Sequence, residues 1–330
     1  MIRLRDAHRG ERALVISGGP SLLAGGFDFG WLRGSGFVTF LETKALTPHF
    51  VEAAGSPDYF LLLFPEKAKD NSIQHFIYRS LLAGSRIDPL LKPEFRKTAA
   101  EIRERFDEHF EDWRPHRGPH KRYRWRPDVY LRDSPYDLLA RVPAARLIVN
   151  RPLLEHYFPH FAYQDRAFYF EQSNDDREFD VEKYFNPVER DGTLVVRCAG
   201  GFLNSAAIAL YPLLNHLGFS EAYFIGMDMS VLGSLEYSAP YTFRSMAHFW
   251  WFWMRNGRVF TANLKRNGWM FARPQSEFDD LRTLWKASPV TFTRVYEPWR
   301  YATRIDDIRS LSFEQAFRNP VNSKAPTQGA

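Results

Sequence analysis

The stretch Ala13-Leu14-Val15-Ile16-Ser17-Gly18-Gly19-Pro20-Ser21-Leu22 constrains the fold more than any other part of the chain. Four apolar residues run straight into Gly-Gly-Pro-Ser. That is the pattern of a buried parallel strand that breaks into a tight turn and opens a short helix. Two glycines let the backbone approach a ligand closely. Pro20 suits the first helical position, and Ser21 sets a hydroxyl beside amides that lack intrahelical partners. A helix start of this kind favours anions, phosphate above all. A plain strand-to-helix turn is the alternative reading of the same residues. The spacing is neither GxGxxG nor a P-loop, because the third glycine of one and the Gly-Lys-Ser/Thr of the other are missing.

The rhythm recurs. Residues 36–41 (Gly-Phe-Val-Thr-Phe-Leu) read as a second strand ending at Glu42-Thr43-Lys44. Residues 58–64 read as a third, ending at Pro65-Glu66-Lys67. Strands at intervals of about 20 residues with turns and helices between them mark an α/β fold with a Rossmann-like, doubly wound, mostly parallel sheet. Ligands of such sheets bind beyond the carboxyl ends of the strands. Gly18, Gly19, Ser21, Glu42, Thr43, Phe64 and Pro65 are therefore expected around one crevice.

A second signature lies at 193–228. Thr193-Leu194-Val195-Val196-Arg197 is a strand that ends in Cys198-Ala199-Gly200-Gly201. A helix rich in small residues follows from Phe202 to Leu217 and stops at Gly218. Glu221 to Gly226 is the next strand, ending in Met227-Asp228. Another glycine pair between strand and helix allows close backbone approach. Arg197, beside that turn, could clamp a phosphate or carboxylate. A structural ion pair with a carboxylate such as Asp228 is the competing reading.

Between the signatures the rhythm breaks, and 66–190 is expected to be a largely helical insertion. Residues 72–82 and 93–110 read as helices. Residues 114–126 (Arg-Pro-His-Arg-Gly-Pro-His-Lys-Arg-Tyr-Arg-Trp-Arg) form the most cationic run of the chain, and their prolines and glycine argue for a loop. The run is either a solvated surface or a landing site for anionic membrane, phosphorylated glycolipid or nucleic acid. Nucleic acid ranks last, because no recognisable nucleic-acid module accompanies the run. Residues 145–150 read as a strand followed by a helix from Arg151, and 168–170 as a short strand. Residues 174–180 are an acidic loop, 1–12 a polar lead-in and 319–330 a polar tail.

Composition bounds the rest. The chain has 330 residues, 45% of them hydrophobic, enough for one large α/β domain with an elaboration. It contains no apolar run of about 18 residues, the length a spanning helix needs. Its N-terminus lacks the apolar core of a signal peptide, so a cytoplasmic protein is expected. A single cysteine, Cys198, excludes an internal disulfide framework and a multi-cysteine metal site. Ten histidines occur without HExxH spacing, so no metal ligand set is assigned. The net charge is +5, the pI is near 9.2, and aromatics reach 16%. Aromatic and cationic residues together suit sugars, bases or a membrane surface. They concentrate at Phe249-Trp250-Trp251-Phe252-Trp253, which must surround a helix rather than line one face. Arg255, Arg258, Lys265, Arg266 and Arg273 follow them. Peripheral contact with an anionic membrane through 114–126 and 248–273 is one expectation, and burial in an oligomer interface is the other.

The two signatures together resemble a superfamily. It joins the bacterial sialyltransferases of glycosyltransferase family 42 to the 6-hydroxymethylpterin diphosphokinase-like proteins, including domains of motility-associated flagellin glycosyltransferases. The motifs are Gly-Gly-Pro-Ser-Leu after the first strand, then Arg-x-x-Gly-Gly, an Ala-rich helix, Leu-Gly-Phe and Ile-Gly-Met-Asp. Residues 295–297 and 304–316 also look like the end of the diphosphokinase-like domains. The resemblance covers roughly 12–65 and 190–317. It implies that Gly18, Gly19, Pro20 and Ser21 bind the donor's phosphate or sugar, with Glu42 or Thr43 near the nucleotide and Gly200, Gly201 and Asp228 close by. The family's nucleotide-contacting asparagine is missing at 42–43, and glycine stands at 200 in place of its serine. Arg197 matches an active-site arginine. Tyr237, with one residue of offset, and Tyr241 match a tyrosine that steadies the leaving phosphate. His248 stands where a general base is expected, at a shorter spacing from Asp228. A neutral imidazole there could take the proton of an acceptor hydroxyl. A histidine packed on an aromatic helix is the competing reading.

The expectation is therefore a metal-independent glycosyltransferase. Its core would be 1–65 and 191–318, interrupted by 66–190, with a segment at 229–247 closing over the donor. It would move a sugar, with the acidic nonulosonate type as one candidate, from a nucleotide to a glycan or glycolipid hydroxyl, without a cofactor. The alternatives are ATP- and Mg²⁺-dependent pyrophosphoryl transfer to a hydroxymethylpterin, with Asp228 and Glu42 holding the metal, and a non-catalytic member of the fold.

Overall fold

The structure, a computed structural model, describes residues 4–17, 28–42, 45, 48–62, 140–152, 163–173, 180–197, 209–227, 247, 275–295 and 307–318. Short apolar and β-branched runs form ten strands in one sheet: β1 Arg12–Ile16, β2 Phe37–Glu42, β3 Tyr59–Leu62, β4 Arg146–Asn150, β5 Ala167–Ser173, β6 Val188–Arg190, β7 Thr193–Arg197, β8 Glu221–Ile225, β9 Thr291–Val295 and β10 Ser310–Leu311. The described helices include α1 Pro48–Ala54, α2 Val181–Phe185, α3 Tyr211–His216 and α4 Gln275–Ala287. The strand order is β10-β9-β8-β1-β2-β3-β4-β5-β7-β6, parallel throughout except for β6. β1 is central: Ile16 pairs with Leu41 on one side and with Ile225 on the other.

Both faces of the sheet are buried, which is why its strands read as near-continuous apolar runs. Side chains alternate between two cores. Leu14, Ile16, Leu41, Phe60, Tyr223 and Ile225 pack on one face with Phe29, Leu32 and Phe50. Ala13, Val15, Phe40, Ala222 and Phe224 pack on the other with Tyr211, Leu214, Leu284 and Trp285. Each buried large side chain contributes roughly 1.5–3 kcal/mol by leaving water. The coarse expectation of an α/β fold with a mostly parallel sheet is met.

Residues 146–190 supply β4, β5 and β6 to the same sheet, between β3 and the far edge. The strands expected at 145–150 and 168–170 are β4 and β5, the second extending through polar Glu171 and Gln172 to Ser173, while β6, Val188-Glu189-Arg190, carries no apolar run to announce it. The helices expected at 72–82 and 93–110 and the cationic run at 114–126 lie outside the described residues. β6 and β7 form a hairpin through Asp191 (φ 50°) and Gly192 (φ 71°), the left-handed pair that a two-residue hairpin turn demands.

The polar lead-in is also a packed element. Leu4 is buried. The amides of Asp6 and His8 donate to the carbonyls of His216 (3.0 Å) and Leu217 (2.8 Å), acceptors that the end of α3 would otherwise leave without partners. His8 stacks on Phe219 and pairs through Nδ1 with Glu11. Its Nε2 lies 2.8 Å from the Tyr59 hydroxyl, which also accepts from Arg146 Nη1 at 3.3 Å. Burial pushes the Tyr59 hydroxyl's pKa above the usual tyrosine value. This cluster sits at the amino ends of β1, β3 and β4, on the edge opposite to the ligand side of such sheets.

Candidate functional site at the carboxyl edge of the sheet

The chain adds β2 and β3 on one side of β1 and returns to add β8 and β9 on the other. Among the described residues, the next helical element after β1 packs on one face through Phe29 and Leu32, and α4, which comes after β8, packs on the other through Leu281, Leu284 and Trp285. Two neighbouring strands whose exits go to opposite faces leave a crevice between them at their carboxyl ends. Here that point lies between Ile16-Ser17 and Ile225-Gly226-Met227. The Ser17 amide donates to the Ile225 carbonyl at 2.9 Å and closes the floor of the crevice. Gly226 adopts φ 72°, which lets the chain turn sharply out of β8. Ser17 and Met227 are buried, at 9% and 7% exposure.

Glu42 ends β2, half-buried, one strand from β1 and one residue beyond the Ile16–Leu41 pair. It therefore borders the same crevice. Arg197 ends β7 and is exposed. In the strand order β7 stands five places from β1, about 24 Å at the usual inter-strand spacing. The sheet therefore does not bring Arg197 and the end of β1 together. The end of β8 is one strand farther still from Arg197. The strand-order reversal separates these ends, because the link from β7 to β8 carries the chain across six strand positions.

Gly18, Gly19, Pro20, Ser21, Thr43, Gly200, Gly201, Asp228, Tyr237, Tyr241 and His248 lie outside the described residues. Phe64 and Pro65, residues 229–246 of the expected closing segment and the aromatic run at 249–253 lie outside them too. Among the described residues no group of three or more His, Cys, Asp or Glu side chains is placed to hold a metal ion. No described helix is long and apolar enough to cross a membrane.

A scan against protein-family models finds no match, and searches of curated proteins and of solved structures find none either.

Two features of this region escape the sequence reading. The first is β9 itself, which places a fourth strand beside the switch point. The second is Arg294 on β9, 1% exposed, whose Nε–H donates to the Met227 carbonyl at 3.0 Å. On β9, Phe292 and Arg294 lie on the face that α4 covers, while Thr293, 1% exposed, lies on the other. The Asp191-Gly192 dipeptide, by contrast, is a strong hairpin signal that the sequence offers openly.

Proposed function

We propose that this protein binds a nucleotide-activated sugar at the crevice between β1 and β8 and transfers the sugar to a glycan or glycolipid hydroxyl without a metal. The observation that carries this reading is that the described elements following β1 and β8 pack on opposite faces of the sheet, with Gly18-Gly19-Pro20-Ser21 following β1 in sequence. Backbone amides at a glycine turn and helix start would take the donor's phosphates. Glu42 would border the nucleotide, and Tyr237 or Tyr241 would steady the departing phosphate. His248 would accept the proton of the attacking hydroxyl, a role worth roughly 10²–10⁴ in rate. In the bond changes, the acceptor oxygen joins the anomeric carbon, the bond from that carbon to the phosphate oxygen breaks, and the nucleotide leaves with the electron pair. The resemblance to family 42 sialyltransferases and diphosphokinase-like domains supports the donor class.

The test is thermal unfolding with CMP, CDP, UDP, GDP or ATP, each with EDTA or Mg²⁺. A ligand that binds only the folded state adds about 3 kcal/mol at a hundredfold excess over its dissociation constant. A metal-independent rise with one nucleotide is expected and names the donor class. A rise only with ATP and Mg²⁺ would replace the reading with pyrophosphoryl transfer, and no rise would leave a non-catalytic fold. His248→Ala should abolish transfer while keeping the nucleotide-induced rise.

A further inference from the structure

Arg294 is an arginine in the interior of the sheet. It shares a face with Phe292 and pairs in register with Phe224, beneath a layer that includes Trp285. A guanidinium keeps its charge at any pH the fold survives, and taking it out of water is costly. An aliphatic side chain would fill the same space at lower cost, but it could not hold a carbonyl. Arg294 does hold one. Its side chain runs along the strand direction from β9 and donates Nε–H to the Met227 carbonyl at 3.0 Å, while its own amide donates to Arg309 at 2.9 Å. From the other side, the Ser17 amide of the β1 exit donates to the Ile225 carbonyl at 2.9 Å. The turn out of β8, Ile225-Gly226-Met227, is thus gripped from both neighbouring strands, and the left-handed Gly226 between the two grips gives it no rigidity of its own.

We propose that Arg294 is the positioning residue of the switch-point site: its Nε–H bond to Met227 fixes the β8 turn against the β1 exit and so sets the width of the crevice that receives the nucleotide phosphates. The functional half of this proposal rests on the reading given under Proposed function; the clamp itself does not.

Two substitutions separate the hydrogen bond from the charge. Arg294→Gln places an N–H donor at the same number of bonds from Cα as Nε, without charge. Arg294→Lys keeps the charge but puts a carbon at that position. Amide hydrogen exchange is measured on the full chain, comparing peptides over 13–17 and 221–228 with peptides over β4 and β5. Exchange in the first two peptides is expected to rise at least tenfold in Arg294→Lys and to stay near wild type in Arg294→Gln, with β4 and β5 unchanged. The reverse order, or equal behaviour of the two variants, whether both protected, both loosened or both unfolded, overturns the clamp. Binding of the nucleotide that gives the wild type its largest thermal shift should weaken about tenfold in Arg294→Lys and be retained in Arg294→Gln. Equal affinities despite the exchange difference would overturn the link to the site. A wild-type protein that binds none of the five nucleotides would defeat the functional reading and that link with it, while the exchange result would still judge the clamp.

Discussion

Gly218 ends α3 in a left-handed conformation (φ 87°), with Phe219 N–H donating to Leu214 and Gly218 N–H to Asn215. That pair of bonds is the Schellman closure of a helix end. A Cβ at this position would also meet the Cα of Asp6 at 3.0 Å, a backbone atom that cannot swing away. Gly218→Ala therefore combines conformational strain with a clash. It is expected to cost at least about 1–2 kcal/mol, read as a lowered urea midpoint. One residue back, His216 is buried beneath the lead-in, 3.6 Å from the Glu189 carboxylate. Burial is the main force holding its pKa below the usual histidine value; Glu189 opposes the shift and Arg5 adds to it. The unfolded chain then binds the proton more readily than the folded one. The stability that follows from this is complete above the ordinary histidine pKa of about 6.5 and is lost as pH falls below it toward the depressed folded value. Urea midpoints at pH 7.5 and 5.5 should show the drop in wild type. The pH slope should shrink in His216→Gln.

At the scale of elements, the interior face of β8 depends on an aromatic cluster. Phe224 is fully buried, with ring centroids of Tyr211, Trp285 and Phe292 at 5.4, 5.1 and 5.2 Å. Phe224→Ala would leave a cavity bounded by three rings. It should cost about 3–5 kcal/mol, a large part of the roughly 5–15 kcal/mol that holds a domain together. Chemical denaturation followed by tryptophan fluorescence would read the loss, since Trp285 lines the same cluster. The elements that the sequence exposes best are of this kind: β1, β2, β3, β7 and β8 carry uninterrupted apolar runs bounded by glycine or charge. β4 and β5 are legible too, as 145–150 and 168–170, although β5 extends beyond its apolar run through Glu171 and Gln172 to Ser173. Arg294 could not be read at all, since nothing local distinguishes a strand arginine under a helix from one in solvent. The strand end at Ile16-Ser17, which borders the candidate site, was legible. Its neighbours were not, because strand order is a property of distant pairings.

At the scale of the whole molecule, the strand order predicts which substitutions act on nucleotide binding. Arg197 is about 24 Å from the switch point at ordinary strand spacing. Arg197→Ala should leave a nucleotide-induced rise in melting temperature unchanged, and loss of that rise in the variant alone would be the sign that the nucleotide lies at the end of β7 instead. Glu42 borders the crevice, so Glu42→Gln should alter that rise without lowering the melting temperature of the unliganded protein by more than a few degrees. Both are read in the same thermal-shift format.

The central place of β1 has one more effect, on how the chain is made. Arg12, near the start of the sequence, finds its partner in Glu221, about two hundred residues later. As the chain leaves the ribosome, β1 to β7 can assemble into seven of the ten strands, but the β8 side of β1 remains a row of unpaired amides and carbonyls until about two thirds of the chain has been synthesised. An open parallel edge of Ala-Leu-Val-Ile is a template for any other extended chain nearby. The nascent protein should therefore need a holding chaperone during that interval. Chains truncated before Glu221 should be lost to aggregation, although the whole protein is not.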